Sequence, residues 1–136
     1  MVNKQLVCNK IGKSGCYFLS LVFIAEKLLK KSIDVVELYV VSVAKNWMGE
    51  DCFMNNPAAM LSYVIGKTVD VKHAGLDYQL SENEYEITRY ELRETGITFA
   101  HFVVTLNGEI IYDPYGESRT RKHGIPVSKR IIKVAA

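Results

Sequence analysis

Thr98 to Pro114 read TFAHFVVTLNGEIIYDP, and the fold turns on this stretch. The β-branched and aromatic run Thr98–Leu106 predicts a strand. Asn107-Gly108 is the strongest hairpin-turn dipeptide in the chain, Glu109 to Asp113 return, and Pro114 breaks the ladder. His101 lies in the middle of the apolar strand among Phe99, Ala100, Phe102, Val103 and Val104, where each ring nitrogen needs a partner or carries a desolvation cost. Asp113 ends the return strand. A regular two-residue loop pairs Leu106 with Glu109, sets Asp113 opposite Phe102 and turns it away from His101. A three-residue loop with Gly108 in a bulge pairs Thr105 with Glu109 and sets His101 opposite Asp113. We expect that second loop, or a bulge further along, so that the two side chains share a face.

Outward from the hairpin, Val127–Val134 adds a last strand. Glu84–Leu92 and Thr68–Lys72 precede it, joined by a polar connection around Gly75 to Asn83. Before Lys67 the period is helical. Phe18, Leu21, Val22, Ala25, Leu28 and Leu29 form one stripe, and Gly15 stops that helix from extending backwards, leaving Cys16 at its first turn. A second helix starts at Asp34, with Glu37 at capping-box spacing and a stripe of Val36, Val40, Val43, Ala44 and Trp47. A third has Asn56 as cap, Pro57 at its first position, Gly66 past its end, and Met60, Leu61 and Val64 inside. The expected architecture is α+β, with N-terminal helices packed on a C-terminal antiparallel sheet, in one domain over residues 1–136.

The 136 residues are 49% hydrophobic and 24% charged, with a net charge of +2, which is the balance of an ordinary globule and too mild to imply nucleic acid or an anionic membrane. Met1 to Gly12 holds no apolar run of signal-peptide kind, and the longest apolar stretch, Tyr17 to Ala25, is far short of the roughly 20 residues of a membrane span. Cys8, Cys16 and Cys52 are irregularly spaced and give neither a disulfide framework nor a paired metal motif, so a cytoplasmic protein without metal or cofactor is expected. Gly12-Lys13-Ser14 lacks the first glycine of a phosphate-binding loop, where Val7 stands. Arg119, Arg121 and Lys122, with Lys129, Arg130 and Lys133, read as a solvated loop and strand face balanced by the acidic stretch Glu82 to Glu94. His73 and His123 read as surface residues.

Three residues carry candidate chemistry. At a helix start the Cys16 thiol meets unpaired backbone N–H groups and the positive end of the helix dipole, and both favour the nucleophilic thiolate. The alternative is a small packing residue, the commoner fate of a free cysteine. His101 is a base or a core histidine satisfied by carbonyls. Asp113 orients the imidazole or starts the Asp-Pro-Tyr-Gly turn.

Gly15-Cys16-Tyr17-Phe18-Leu19-Ser20-Leu21 resembles the nucleophile helix of papain-like cysteine peptidases. His101-Phe102-Val103-Val104 followed by Asp113-Pro114 is similar to the His and Asp segments of the bacteriocin-processing, double-glycine branch. It is also similar to a small uncharacterised phage- and plasmid-associated group in that superfamily. The order Cys, His, Asp is the superfamily's, and the resemblance spans most of the chain. It implies a papain-like fold, a nucleophile at Cys16, a base at His101, an orienting acid at Asp113, and a peptide or amide substrate. Gly15-Cys16-Tyr17 replaces the branch's usual Asp-Cys-Gly. The family's oxyanion glutamine, a short way before the cysteine, falls on Lys10, so Gln5 and Asn9 are the candidate amide donors, expected within reach of the Cys16 sulfur.

Three functions fit these residues. One is a cysteine peptidase or amidase. Another is a catalytically silent papain-like domain used for binding. The last is a nucleic-acid-associated module resting on the basic C-terminal region.

Overall fold

The computed structural model describes residues 3–136. The chain opens with α1 (Lys4–Ser14), capped by Asn3, whose side chain accepts from the Leu6 amide. Val7 and Ile11 on α1 are buried one helical turn apart. This helix had no counterpart in the expectations above. It ends at Gly15, whose amide donates to Ile11 O, and a Cβ at Gly15 would stand 2.4 Å from that carbonyl oxygen. Only glycine therefore lets α1 run directly into α2 (Cys16–Leu29). Phe18, Leu21, Val22, Ile24 and Ala25 of α2 are buried and form the middle of the core.

α3 (Val35–Ala44) begins where expected, with the Asp34 carboxylate accepting from the amides of Val36 and Glu37. Its inner face differs from the valine stripe: Leu38, Tyr39 and Ser42 are buried, while Val36, Val40 and Val43 are half-buried. The larger Leu and Tyr side chains take the deep positions, and β-branched spacing alone did not rank them. α4 (Pro57–Ile65) has the predicted Asn56 cap, Pro57 at its start and Gly66 at φ +79 past its end, and buries Met60 and Leu61.

The strands are β1 (Val69–Ala74), β2 (Glu84–Glu94), β3 (Ile97–Leu106), β4 (Glu109–Tyr112) and β5 (Ile125–Val134), with a short helix α5 (Arg119–His123) before the last. All pairings are antiparallel and the order is β1-β5-β2-β3-β4, so the last strand lies between β1 and β2. The architecture is α+β, as expected, with helices first and the antiparallel sheet after.

Alternation splits the sheet's residues between two faces. Val69, Ile87, Val104, Ile132 and Val134 join the main apolar cluster with α2 and α4. Glu86, Thr88, His101, Val103, Thr105, Lys129 and Ile131 alternate with them, and all are buried. α5 contacts β2 and β3. No helix among the described residues is long and apolar enough to cross a membrane.

Candidate active site

The hairpin settles the relation between His101 and Asp113. Leu106 pairs with Glu109 and Thr105 with Ile110, the register of a two-residue loop, and Asn107 and Gly108 take φ of 49° and 89°. Those are the left-handed values of a type I′ turn, so the three-residue loop does not form. The register then shifts: Val104 pairs with Tyr112, and Ile111 is the extra residue. This is the bulge further along. It moves Asp113 to the face of His101, and His101 Nε2 lies 2.6 Å from Asp113 Oδ1.

Both side chains are buried, at 2% and 3% exposure. The Asp113 carboxylate also accepts from the Tyr115 amide (2.9 Å), the Ser118 amide (3.4 Å) and Arg121 Nε (3.1 Å). Burial alone would raise its pKa. The bonds from His101, Tyr115 and Arg121 outweigh burial and hold it below the ordinary carboxylate value. An ionised Asp113 accepts from Nε2–H, which leaves the imidazole lone pair on Nδ1. Nδ1 is buried and has no hydrogen-bond partner among the described residues. A protein does not ordinarily leave such an atom unpaired.

Cys16 stands at the start of α2, beside β3. Ser20, one turn along α2, donates to Cys16 O at 2.8 Å and to Phe102 O at 3.3 Å, tying the helix start to the residue after His101. Tyr17 stacks on Phe102 with ring centroids 4.6 Å apart. Tyr115 bridges the two sides of the site. Its ring stacks on His101 at 4.6 Å, its hydroxyl donates to Lys13 O (3.1 Å), and the same hydroxyl contacts the Cys16 thiol. Burial pushes the Tyr115 pKa up to about 12, so this hydroxyl stays protonated.

Burial also raises the Cys16 thiol above its ordinary value, against the opposing pull of the Phe102, Tyr17 and Cys16 backbone and the Tyr115 hydroxyl. The helix terminus alone predicted the reverse. Desolvation of a half-buried sulfur is the larger effect here, so the thiolate needs a base. Cys8 is exposed, and Cys52 is buried, with a pKa raised to about 11.

A cleft of about 400 Å³ opens beside Cys16. Its floor is the helix-facing side of the sheet (His73, Ala100, Phe102, Arg130), and Ser14, Tyr17 and the Asp51–Met54 segment wall it. Gln5 and Asn9 are not among its lining residues. Both are exposed on α1, with Gln5 Nε2 donating to Asn9 Oδ1 at 3.1 Å. Because residues 4–14 are helical, Asn9 lies about 10 Å of helical rise before Cys16. The donors left beside the sulfur are the Ser14 hydroxyl and the start of α2, which has no side-chain cap.

A second depression of about 460 Å³, between Leu29, Asp34, Leu38 and Tyr63, contains Asp34, whose carboxylate caps α3. His73 and His123 are exposed, as expected. Among the described residues no three His, Cys, Asp or Glu side chains form a metal-binding group. The sequence assigns Tyr115 no role at the site and places Arg121 in a solvated loop; only the fold of residues 113–123 carries the two to His101 and Asp113.

No curated protein and no solved structure matches the chain. A family model described as "Protein of unknown function, DUF261" matches residues 2–134, and the chain belongs to that family.

Proposed function

We propose that this protein is a papain-like cysteine peptidase or amidase, with Cys16 as nucleophile, His101 as base and Asp113 as orienting acid. The observation that carries the reading is the His101–Asp113 bond of 2.6 Å, with the opposite ring nitrogen buried and unpartnered among the described residues and with Tyr115 linking the imidazole, on which its ring stacks, to the Cys16 thiol, which its hydroxyl contacts. Nδ1 takes the thiol proton, and the sulfur attacks the amide carbonyl carbon. The tetrahedral oxyanion faces the start of α2 and the Ser14 hydroxyl. The carbon–nitrogen bond then breaks as the imidazolium protonates the leaving amine. Water, deprotonated by the same nitrogen, releases the acid from the thioester. The three unpaired thiols suit a cytoplasmic setting.

A raised thiol pKa and the absence of Gln5 and Asn9 from the cleft favour a second reading, a papain-like domain that binds without turnover. A thiol-directed activity probe distinguishes the two. Under the peptidase reading it labels the wild type at Cys16 and fails on both Cys16→Ala and His101→Ala. Labelling of Cys16 that is insensitive to His101→Ala leaves the binding domain.

A further inference from the structure

Arg130 stands apart from the other arginines. Arg89 and Arg93 pair with Glu91, Arg119 with Glu94, and Arg121 with Asp113. Among the described residues Arg130 has no carboxylate partner, although it is half-buried. Its Nη1 donates to Ser128 Oγ (2.9 Å) and Lys129 O (3.4 Å), and Nε and Nη2 have no acceptor among the described residues. The guanidinium lies 5.5 Å from the centre of the Phe102 ring, which stacks on Tyr17, the neighbour of Cys16. The cation is thus fixed in place on the floor of the Cys16 cleft with part of its fork unused.

We propose that Arg130 is a carboxylate-recognition residue and that the substrate is a peptide or amide bearing a free carboxylate next to the scissile bond. This rests on the reading of Cys16 as nucleophile. A planar fork that is already desolvated and supported by an aromatic face matches a carboxylate in two parallel hydrogen bonds, and the entering anion supplies the charge the fold leaves out. Asp51 on the opposite wall gives orientation. Its Oδ1 accepts from the Phe53 amide, and its charge repels a second carboxylate, directing the anionic group to the β5 floor. Exposed His73, paired with Arg130 across β1 and β5, adds a donor on the same floor.

The test uses two alkylating reagents of nearly equal size, anionic iodoacetate and neutral iodoacetamide, with the sites of modification resolved by mass spectrometry. The ratio of the two rates at Cys16 should exceed that at exposed Cys8 by about tenfold, the worth of a charge-assisted hydrogen bond. Arg130→Gln should bring it down to the Cys8 value, and Arg130→Lys should keep part of the preference. Equal ratios at Cys16 and Cys8, or a ratio unmoved by Arg130→Gln, overturns the proposal. The Arg130 Nε–Hε NMR signal reads the subsite without the thiol. A saturable shift with N-acetylglycinate identifies a chain-terminal carboxylate, and one with N-acetylglutamate α-amide identifies a side-chain carboxylate. No saturable shift with either overturns the subsite. A Cys16 inert to both reagents beside a responsive Arg130 supports carboxylate binding while removing the nucleophile.

Discussion

Two buried ionic groups share one face of the sheet and are finished differently. Glu86 and Lys129 meet at 3.0 Å with 0% and 3% exposure. Lys129 also donates to Tyr78 O, and Glu86 accepts from the Thr105 hydroxyl and the Gly108 amide at the hairpin turn. Thr105 in turn meets Thr88 at 2.7 Å. His101 and Asp113 are equally buried, and the carboxylate is equally well supplied with donors, yet one ring nitrogen has no partner among the described residues. The first group is closed on itself and ties three strands together. The second is held rigid on one side and left unfinished on the other, which under the peptidase reading is the nitrogen that takes the thiol proton.

The contrast breaks most sharply under substitution. Asp113→Asn should slow labelling of Cys16 by a thiol-directed probe by roughly 10²–10⁴-fold, the range of a positioned general base, because the imidazole loses its fixed tautomer. The same variant should melt closer to wild type than a single change that leaves Glu86 or Lys129 without its partner. A probe rate unchanged by Asp113→Asn would put both pairs in the same structural class.

Lys129→Met strands a buried carboxylate and should cost about 3–5 kcal/mol in denaturant unfolding, whereas Lys129→Met with Glu86→Leu should recover most of that loss. Folded protein carrying the double change should label at Cys16 at the wild-type rate. Slower labelling would mean that the closed group also shapes the site.

Acid sharpens the comparison. Burial pushes the Glu86 pKa up, but its bonds to Thr105, Gly108 and Lys129 outweigh that and leave it below the ordinary 4.5, as Asp113 lies below 3.8. Both carboxylates therefore stabilise the fold fully above those ordinary values, and the contribution fades as pH falls through the lower folded ones. The melting temperature should hold from pH 7 to 5 and drop below 4. The double variant should show a shallower drop, since only the Asp113 part remains.

The smallest effect is expected at Tyr115. Tyr115→Phe removes the hydroxyl beside the Cys16 sulfur and the bond to Lys13 O while keeping the ring over His101. Iodoacetamide should then modify Cys16 severalfold more slowly than in wild type, because the hydroxyl no longer helps to lower the thiol pKa, with melting little changed. An identical rate would show that the hydroxyl does not touch the reactive thiol in solution.

Much of this was legible in the residues, for identifiable reasons. Asn56, Pro57 and Gly66 act locally, and so does Asp34; their helix ends fall where those caps put them. The strands are rich in β-branched residues and turn at Asn107-Gly108. The parity needed to bring Asp113 to His101 was readable too, but not the device: a bulge at Ile111 depends on packing between strands and has no residue signature of its own. Helix α1 escaped because its inner face is only Val7 and Ile11 in a polar segment. Tyr115 and Arg121 acquire their positions from a turn and the short helix α5, whose path no periodicity encodes. The thiol's raised pKa is a matter of burial, which a helix-start argument omits.

The place of β5 has a consequence in time. His101 and Asp113 are twelve residues apart and can meet as soon as their hairpin closes, whereas Cys16 must travel 85 positions of chain to reach β3. β1 cannot join β2 until β5 has been made and inserted between them. During synthesis the cysteine therefore emerges first and waits as an ordinary exposed thiol. The His101–Asp113 pair is assembled later, and the floor that holds Arg130 last of all, so under the proposed reading any nucleophilic power at Cys16 belongs to the finished chain and to no earlier stage of it.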